Sequence, residues 1–180
     1  GSAHTDRLVF GTGINISDLS FRTTATNGEL LISLANGTDS VRIKNYFPYG
    51  SNPTWQGIER IELADGTSLT YSQVSALAFT GTAGNDSIVA GGTNDVLRGG
   101  AGNDVLNGRA GSDTYYFDLG DGNDIISEDT ADGSAHTDRL VFGTGIDISD
   151  LSFKTTATSG ELPISLANGT DSVRIKNYFP

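Results

Sequence analysis

Gly99-Gly100-Ala101-Gly102-Asn103-Asp104-Val105-Leu106-Asn107 is a nine-residue unit with paired glycines first, glycine fourth, aspartate sixth and a large apolar residue eighth. The unit recurs on both sides. Gly81 to Val89 keeps Gly81, Gly84, Asp86 and Ile88, and Ala90 to Arg98 keeps Gly91, Asp95 and Leu97 with Thr93 in the fourth place. Downstream, Gly108 to Tyr116 keeps Gly108, Gly111, Asp113 and Tyr115. After two extra residues, Phe117 and Asp118, Leu119 to Ser127 keeps Gly120, Gly122, Asp124 and Ile126. A flexible Gly/Asn/Asp linker would not hold a bulky apolar residue every nine positions, so the run reads as folded structure.

Glycine-rich turns allow positive φ and close backbone approach, and the three residues after each turn can form a short strand. Strand alternation then sends the eighth position inward, making Ile88, Leu97, Leu106, Tyr115 and Ile126 the core. Two units complete one coil of a flattened solenoid. Positions 18 residues apart therefore stack, with Asp86, Asp104 and Asp124 in one column and Asp95 and Asp113 in the other. The outward positions, among them Ser87, Val96, Val105 and Thr114, form no threonine ladder of the kind a flat ice-binding surface would need.

Carboxylates stacked in this way repel. Two unit charges about 5 Å apart cost roughly 3 kcal/mol at an effective dielectric near 20. The run contains no lysine, and its bases are Arg98 and Arg109. A hard divalent cation answers the repulsion: Ca²⁺ takes about 6–8 oxygens, whereas Mg²⁺ demands stricter octahedra and keeps its waters. The candidate ligands are the carboxylates of Asp86, Asp95, Asp104, Asp113, Asp124 and Asp138, with the turns at Gly84, Gly99, Gly102, Gly111 and Gly122 offering carbonyls beside them. Several Ca²⁺ ions are expected.

These units resemble the RTX nonapeptide, a Ca²⁺-binding parallel β-helix repeat. A second stretch, roughly Leu8 to Leu77, is similar to the haemolysin-type calcium-binding-related domain. The residues that carry this are Asp18-Leu19-Ser20-Phe21, Glu29-Leu30-Leu31-Ile32, Asp39 to Phe47 and Ile58-Glu59-Arg60-Ile61-Glu62-Leu63-Ala64-Asp65-Gly66. The resemblance implies a protein exported by type I secretion from a Gram-negative bacterium, secreted or held at the cell surface. It also implies a chain that stays unfolded in the low-Ca²⁺ cytoplasm and folds outside. Departures from the pattern matter here. Thr93 in a glycine place predicts a weakly binding turn, and the insert before Leu119 predicts a distorted stack of Asp124 on Asp104.

The charge supports this reading. Residues Ala78 to Asp132 carry ten acids and two arginines, a net of −8 out of −11 for the 180-residue chain. Such a chain is a poor partner for nucleic acid or anionic membrane. There is no cysteine, which an exported protein without disulfides can accommodate, and no apolar run of membrane-spanning length. No signal peptide opens the sequence, and the start at Gly1 and stop at Pro180 read as a piece of something longer.

Residues Gly133 to Pro180 repeat Gly1 to Pro48 at an offset of 132, differing only at Asn15/Asp147, Arg22/Lys154, Asn27/Ser159 and Leu31/Pro163. The expected parent is a tandem array whose neighbouring repeats are partners within one chain. Gly1 to Val9 and its twin Gly133 to Val141 are degenerate nonapeptides. In the second, Asp138 would close the column of Asp95 and Asp113, with Leu140 in the core. His4 and His136 stand where glycine is expected and read as loop residues, because imidazole is a poor Ca²⁺ ligand.

Between these lies ordinary β-patterning. Leu19–Thr23, Leu30–Leu34, Ser40–Tyr46 and Ile58–Leu63 alternate, with Asn27-Gly28, Asn36-Gly37 and Asp65-Gly66 as turns. Ser72 reads as an N-cap for a short helix from Gln73 to Ala78. The expected fold is all-β: a parallel β-roll flanked by antiparallel, sandwich-like spacers. The expected divisions are 1–79, 80–142 and 143–180. The second spacer lacks the equivalent of Ile58–Leu63 and should be the less stable copy.

Catalysis has little support, since two histidines without cysteine form no nucleophile–base constellation. The rival to a structural Ca²⁺ module is an adhesin binding surface glycan through the aromatic cluster Tyr46, Phe47, Tyr49 and Trp55. The alternative for those rings is ordinary packing.

Overall fold

The computed structural model describes residues 5–24, 28–47, 57–128, 136–154 and 160–178. The first spacer contains β1 (Arg7–Val9), β2 (Leu19–Thr23), β3 (Leu30–Leu34), β4 (Ser40–Ile43), β5 (Arg60–Glu62), β6 (Ser68–Thr70) and the helix α1 (Tyr71–Ala78). The roll follows with β7 (Ser87–Val89), β8 (Val96–Arg98), β9 (Val105–Asn107), β10 (Thr114–Phe117), β11 (Asn123–Ser127) and β12 (Arg139–Phe142). The second spacer adds β13 (Leu151–Phe153), β14 (Leu162–Leu166) and β15 (Ser172–Lys176). Apart from α1 and two single-turn helices, the regular structure of the described residues is β.

Alternate nonapeptides pair in parallel, as an 18-residue coil requires. β7 lies on β9 with Ile88 opposite Leu106, and β8 lies on β10 with Leu97 opposite Tyr115. The eighth positions Ile88, Leu97, Leu106, Tyr115 and Ile126 are all buried. Leu140 packs against the same core but is only partly buried. Truncating the middle of this column, Leu106→Ala, removes a side chain that is 1% exposed and clasped between Ile88 and Ile126. Urea unfolding in Ca²⁺ should show a loss of about 2–5 kcal/mol.

The insert before Leu119 does not distort the stack as its length suggests. β11 pairs with β9 at an offset of 20, with Ile126 opposite Leu106. The extra residues are absorbed earlier, where β10 runs on to Phe117 and buries that ring edge-on against Phe142 at 6.1 Å. The apolar gain of Phe117 accommodates the longer coil.

β2, β3 and β4 form an antiparallel meander, and β13, β14 and β15 form its twin. The twin is joined edge to edge to the roll, because β15 pairs in parallel with β11 to make one six-stranded sheet. The last sheet of the first spacer has the order β1-β5-β6, with β1 parallel to β5.

Three sequence expectations need correction. Helix α1 is capped by Thr70 rather than Ser72: the Gln73 N–H donates to Thr70 Oγ1, and the Thr70 N–H donates to Gln73 Oε1 at 2.9 Å. Thr70 is the last residue of β6, a strand the alternation did not reveal, so its extended backbone already suits an N-cap. β5 spans only Arg60–Glu62, and β4 stops at Ile43, because Asn45 turns the chain with φ 54°. That turn drives Tyr46 and Phe47 into the core, where Tyr46 stacks on Tyr71 and Phe47 lies 4.8 Å from Phe79. Those two rings pack. Tyr49, Trp55, Asn27 and His4 lie outside the described residues.

Candidate cation-binding columns

The aspartates of the sixth positions form two ladders, and the backbone builds them. The Asp86 N–H donates to Asp104 Oδ1 at 2.7 Å, and the Asp104 N–H donates to Asp124 Oδ1 at 3.0 Å. On the other side the Asp95 N–H donates to Asp113 Oδ1 at 2.8 Å, and the Asp113 N–H donates to Asp138 Oδ1 at 2.9 Å. Each coil thus hands one peptide dipole to the carboxylate of the next, which offsets part of the repulsion.

A second ladder runs alongside at the fifth position. The Asn103 N–H donates to Asn85 Oδ1, Asn123 N–H to Asn103 Oδ1, and Ser112 N–H to Asn94 Oδ1. Asparagine recurs at that place in four units, so the signal was legible, but the carboxylates drew the reading away from it.

The glycines explain how the coils come so close. A Cβ on Gly102 would lie 2.8 Å from the Gly84 carbonyl carbon, and one on Gly122 would lie 2.0 Å from Gly102 O. Gly111 meets Thr93 O in the same way at 2.2 Å. Gly99 is different, since its missing Cβ would sit 2.4 Å from Asp104 Oδ2. At Gly108 the corresponding position falls 2.2 Å from Asp113 Oδ2.

Those two oxygens are the exceptional atoms. Asp104 and Asp113 are fully buried, and the Oδ2 of each has no hydrogen-bond partner among the described residues. Buried carboxylate oxygens without donors are costly, and a hard cation is the partner their chemistry fits. Burial, first of all, pushes Asp113 and Asp124 up to about 7 and Asp95 up to about 6. The charges of Asp95 and Asp138 add to the effect on Asp113, and those of Asp104, Asp121 and Asp171 add to it on Asp124. Asp104 is also raised, chiefly by burial.

The ends of the columns differ. Burial raises Asp86 too, but Thr82 and Arg22 outweigh it and hold that carboxyl below its usual range. Its Oδ1 meets Arg22 Nη1 at 2.6 Å and its Oδ2 accepts from the Thr82 N–H and hydroxyl. Asp95 is satisfied differently, through the Gly91 N–H and the Thr93 hydroxyl. Thr93 thus spends its side chain on the carboxylate that glycine would leave open. At the far end Asp171, which sequence reasoning did not select, is buried and accepts from the Gly120 N–H at 2.7 Å.

The other column ends on a three-carboxylate group. Single oxygens of Asp113, Glu128 and Asp138 all lie within 4.8 Å of one another. Glu128 was also missed, because it lies outside the nine-residue register. Tyr115 Oη donates to Glu128 and accepts from the Gly108 N–H, so this core ring also orients a carboxylate.

Residues 80–115 match the family model of the RTX calcium-binding nonapeptide repeat (4 copies), and residues 29–73 match that of the haemolysin-type calcium binding protein related domain. No curated protein matches the chain. Among solved structures the chain is similar to the crystal structure of extracellular lipase LipA from Serratia marcescens, at 15% identity and a TM-score of 0.33, covering 94% of this chain and 30% of that one.

Proposed function

We propose that this chain, which carries RTX calcium-binding nonapeptide repeats beside a haemolysin-type related spacer, is a Ca²⁺-folded structural link in a large secreted or surface repeat protein. Calcium binding belongs to the repeats; the linking role is our reading. The observation that carries it is the pair of donorless, buried oxygens on Asp104 and Asp113, each set against a glycine with no room for a Cβ. Asp104 and Asp124 would hold cations in one column, and Asp113, Asp138 and Glu128 in the other. Bound Ca²⁺ would supply the positive charge that the roll lacks.

The link reading also rests on the 132-residue repeat and on β15, which ties a spacer directly to the roll. A module that is disordered until Ca²⁺ binds crosses membranes as a chain and stiffens where Ca²⁺ is abundant. Described helices are too short to span a membrane.

Calorimetric titration tests the assignment. The chain should bind several Ca²⁺ ions, and Asp104→Asn and Glu128→Gln should each weaken one site about tenfold or more, in different columns. Mg²⁺ should not substitute. Unchanged binding in both variants would refute the assignment.

A further inference from the structure

The two spacer copies are an internal control: nearly one sequence, seen twice with opposite surfaces covered. In the first copy Phe21 and Tyr46 are buried, at 6% and 1% exposure, against α1. Their twins Phe153 and Tyr178 stand 51% and 54% exposed. In the second copy Val173 of β15, paired opposite Asp124 of β11, is buried, as are Asp171 just before β15 and Leu166 at the end of β14. Their twins Asp39, Val41 and Leu34 are exposed or half-buried in the first copy, where β4 has a free edge. Each copy is open where the other is closed.

We propose that both open surfaces are docking faces for a further copy of this same unit, so that an array is one continuous sheet system rather than beads on joints. The proposal deepens the structural-link reading and rests on it. The occupants follow from contacts already present. The face of Phe153 takes a segment with the sequence of α1, as Phe21 on β2 takes α1 here, and the free edge of β12 takes one with the sequence of β5, as β1 takes β5. The edges of β1 and β4 take strands with the sequences of β10 and β11, because β12 and β15 already occupy those strands in this chain.

Charge agrees with the first docking. Arg22 of β2 reaches Asp86, the first rung of the roll that follows it, at 2.6 Å. Its twin is Lys154, so one of the four substitutions between the copies keeps the cation that a following roll would meet. The Thr23 hydroxyl accepts from the Val89 N–H at 3.0 Å, a second tie between spacer and next roll.

The test extends the full chain after Pro180 with a second copy of residues 49–132, and compares it with the 180-residue chain by hydroxyl-radical footprinting in Ca²⁺. Phe153 and Tyr178 should be labelled in the shorter chain and should fall, in the longer one, to the level of Phe21 and Tyr46 in the same molecule. Persistent labelling of Phe153 and Tyr178 in the extended chain overturns the proposal, whatever the state of the added residues. Equal protection in chelator would support the docking while counting against the calcium reading, so the two fail separately.

Discussion

In chelator, the chain is expected to be folded near pH 4.5 and to lose its roll as the pH rises to about 7.5. The direction follows from the buried carboxyls. Asp95 is pushed up to about 6 and Asp113 and Asp124 up to about 7, from an ordinary value of 3.8, so the folded apo chain holds protons that the unfolded chain has released. A raised folded-state value means stability that is complete below about pH 4 and is lost as pH climbs through 6 to 7. Each such carboxyl contributes a slope of up to about 1.4 kcal/mol per pH unit in that window.

Asp86 and Asp171 act the other way, since hydrogen bonds outweigh burial and hold both low. Their contribution is present above about pH 4 and fades only in stronger acid. Ca²⁺ replaces the protons, so the dependence should flatten when the ion is present, and binding should release protons. Far-UV circular dichroism of the chelated chain across this range decides the matter. An apo chain equally folded at both ends of the range would contradict the account.

Gly99→Ala should crowd the buried Asp104 carboxylate directly. Its Cβ would lie 2.4 Å from Asp104 Oδ2 and 3.1 Å from that residue's Cβ and Cγ, and the residue needs no left-handed backbone. The harm is therefore crowding of a fully buried carboxylate, expected to cost about 1–3 kcal/mol and to weaken one Ca²⁺ site at least about tenfold. Gly13→Ala is the control. Gly13 has φ 88° with nothing within 4 Å of the added Cβ, so it should lose about 1–2 kcal/mol through backbone strain alone. Its Ca²⁺ titration should be unchanged. A Gly99→Ala chain that binds Ca²⁺ as tightly as the parent would show that the Asp104 oxygen does not face a cation.

Periodicity made the roll legible because one residue in nine does the packing and one does the charge. The inward set Ile88, Leu97, Leu106, Tyr115 and Ile126 follows from strand alternation alone, and parallel pairing follows from the 18-residue coil. What escaped had no period. Glu128 reaches Asp113 and Asp138 from an irregular segment, Arg22 reaches Asp86 from 64 residues away, and Asp171 comes from the loop before β15 in the other spacer. Tyr115 read as an apolar core residue, yet its hydroxyl ties Glu128 to the Gly108 N–H. In the spacer, Thr70 takes the cap expected of Ser72 because a strand too short to show alternation ends there.

The expectation of a strand from Ser40 to Tyr46 failed for a local reason. Alternation continues through Lys44, but Asn45 adopts the left-handed region and reverses the chain. The same Asn stands at 177 with φ 56°, so the turn recurs in the second copy even where Tyr178 stays exposed. That recurrence places the cause in the local sequence rather than in what covers it.

The most direct measurement adds Ca²⁺ to the chelated chain near pH 7.5 and follows far-UV circular dichroism, with Mg²⁺ at the same concentration alongside. A cooperative gain of β-structure with Ca²⁺ and none with Mg²⁺ is the predicted result, because the columns offer buried, donorless carboxylate oxygens that a larger, less rigid cation suits. A chain fully folded in chelator at that pH, with no change on adding Ca²⁺, would contradict the account at its centre.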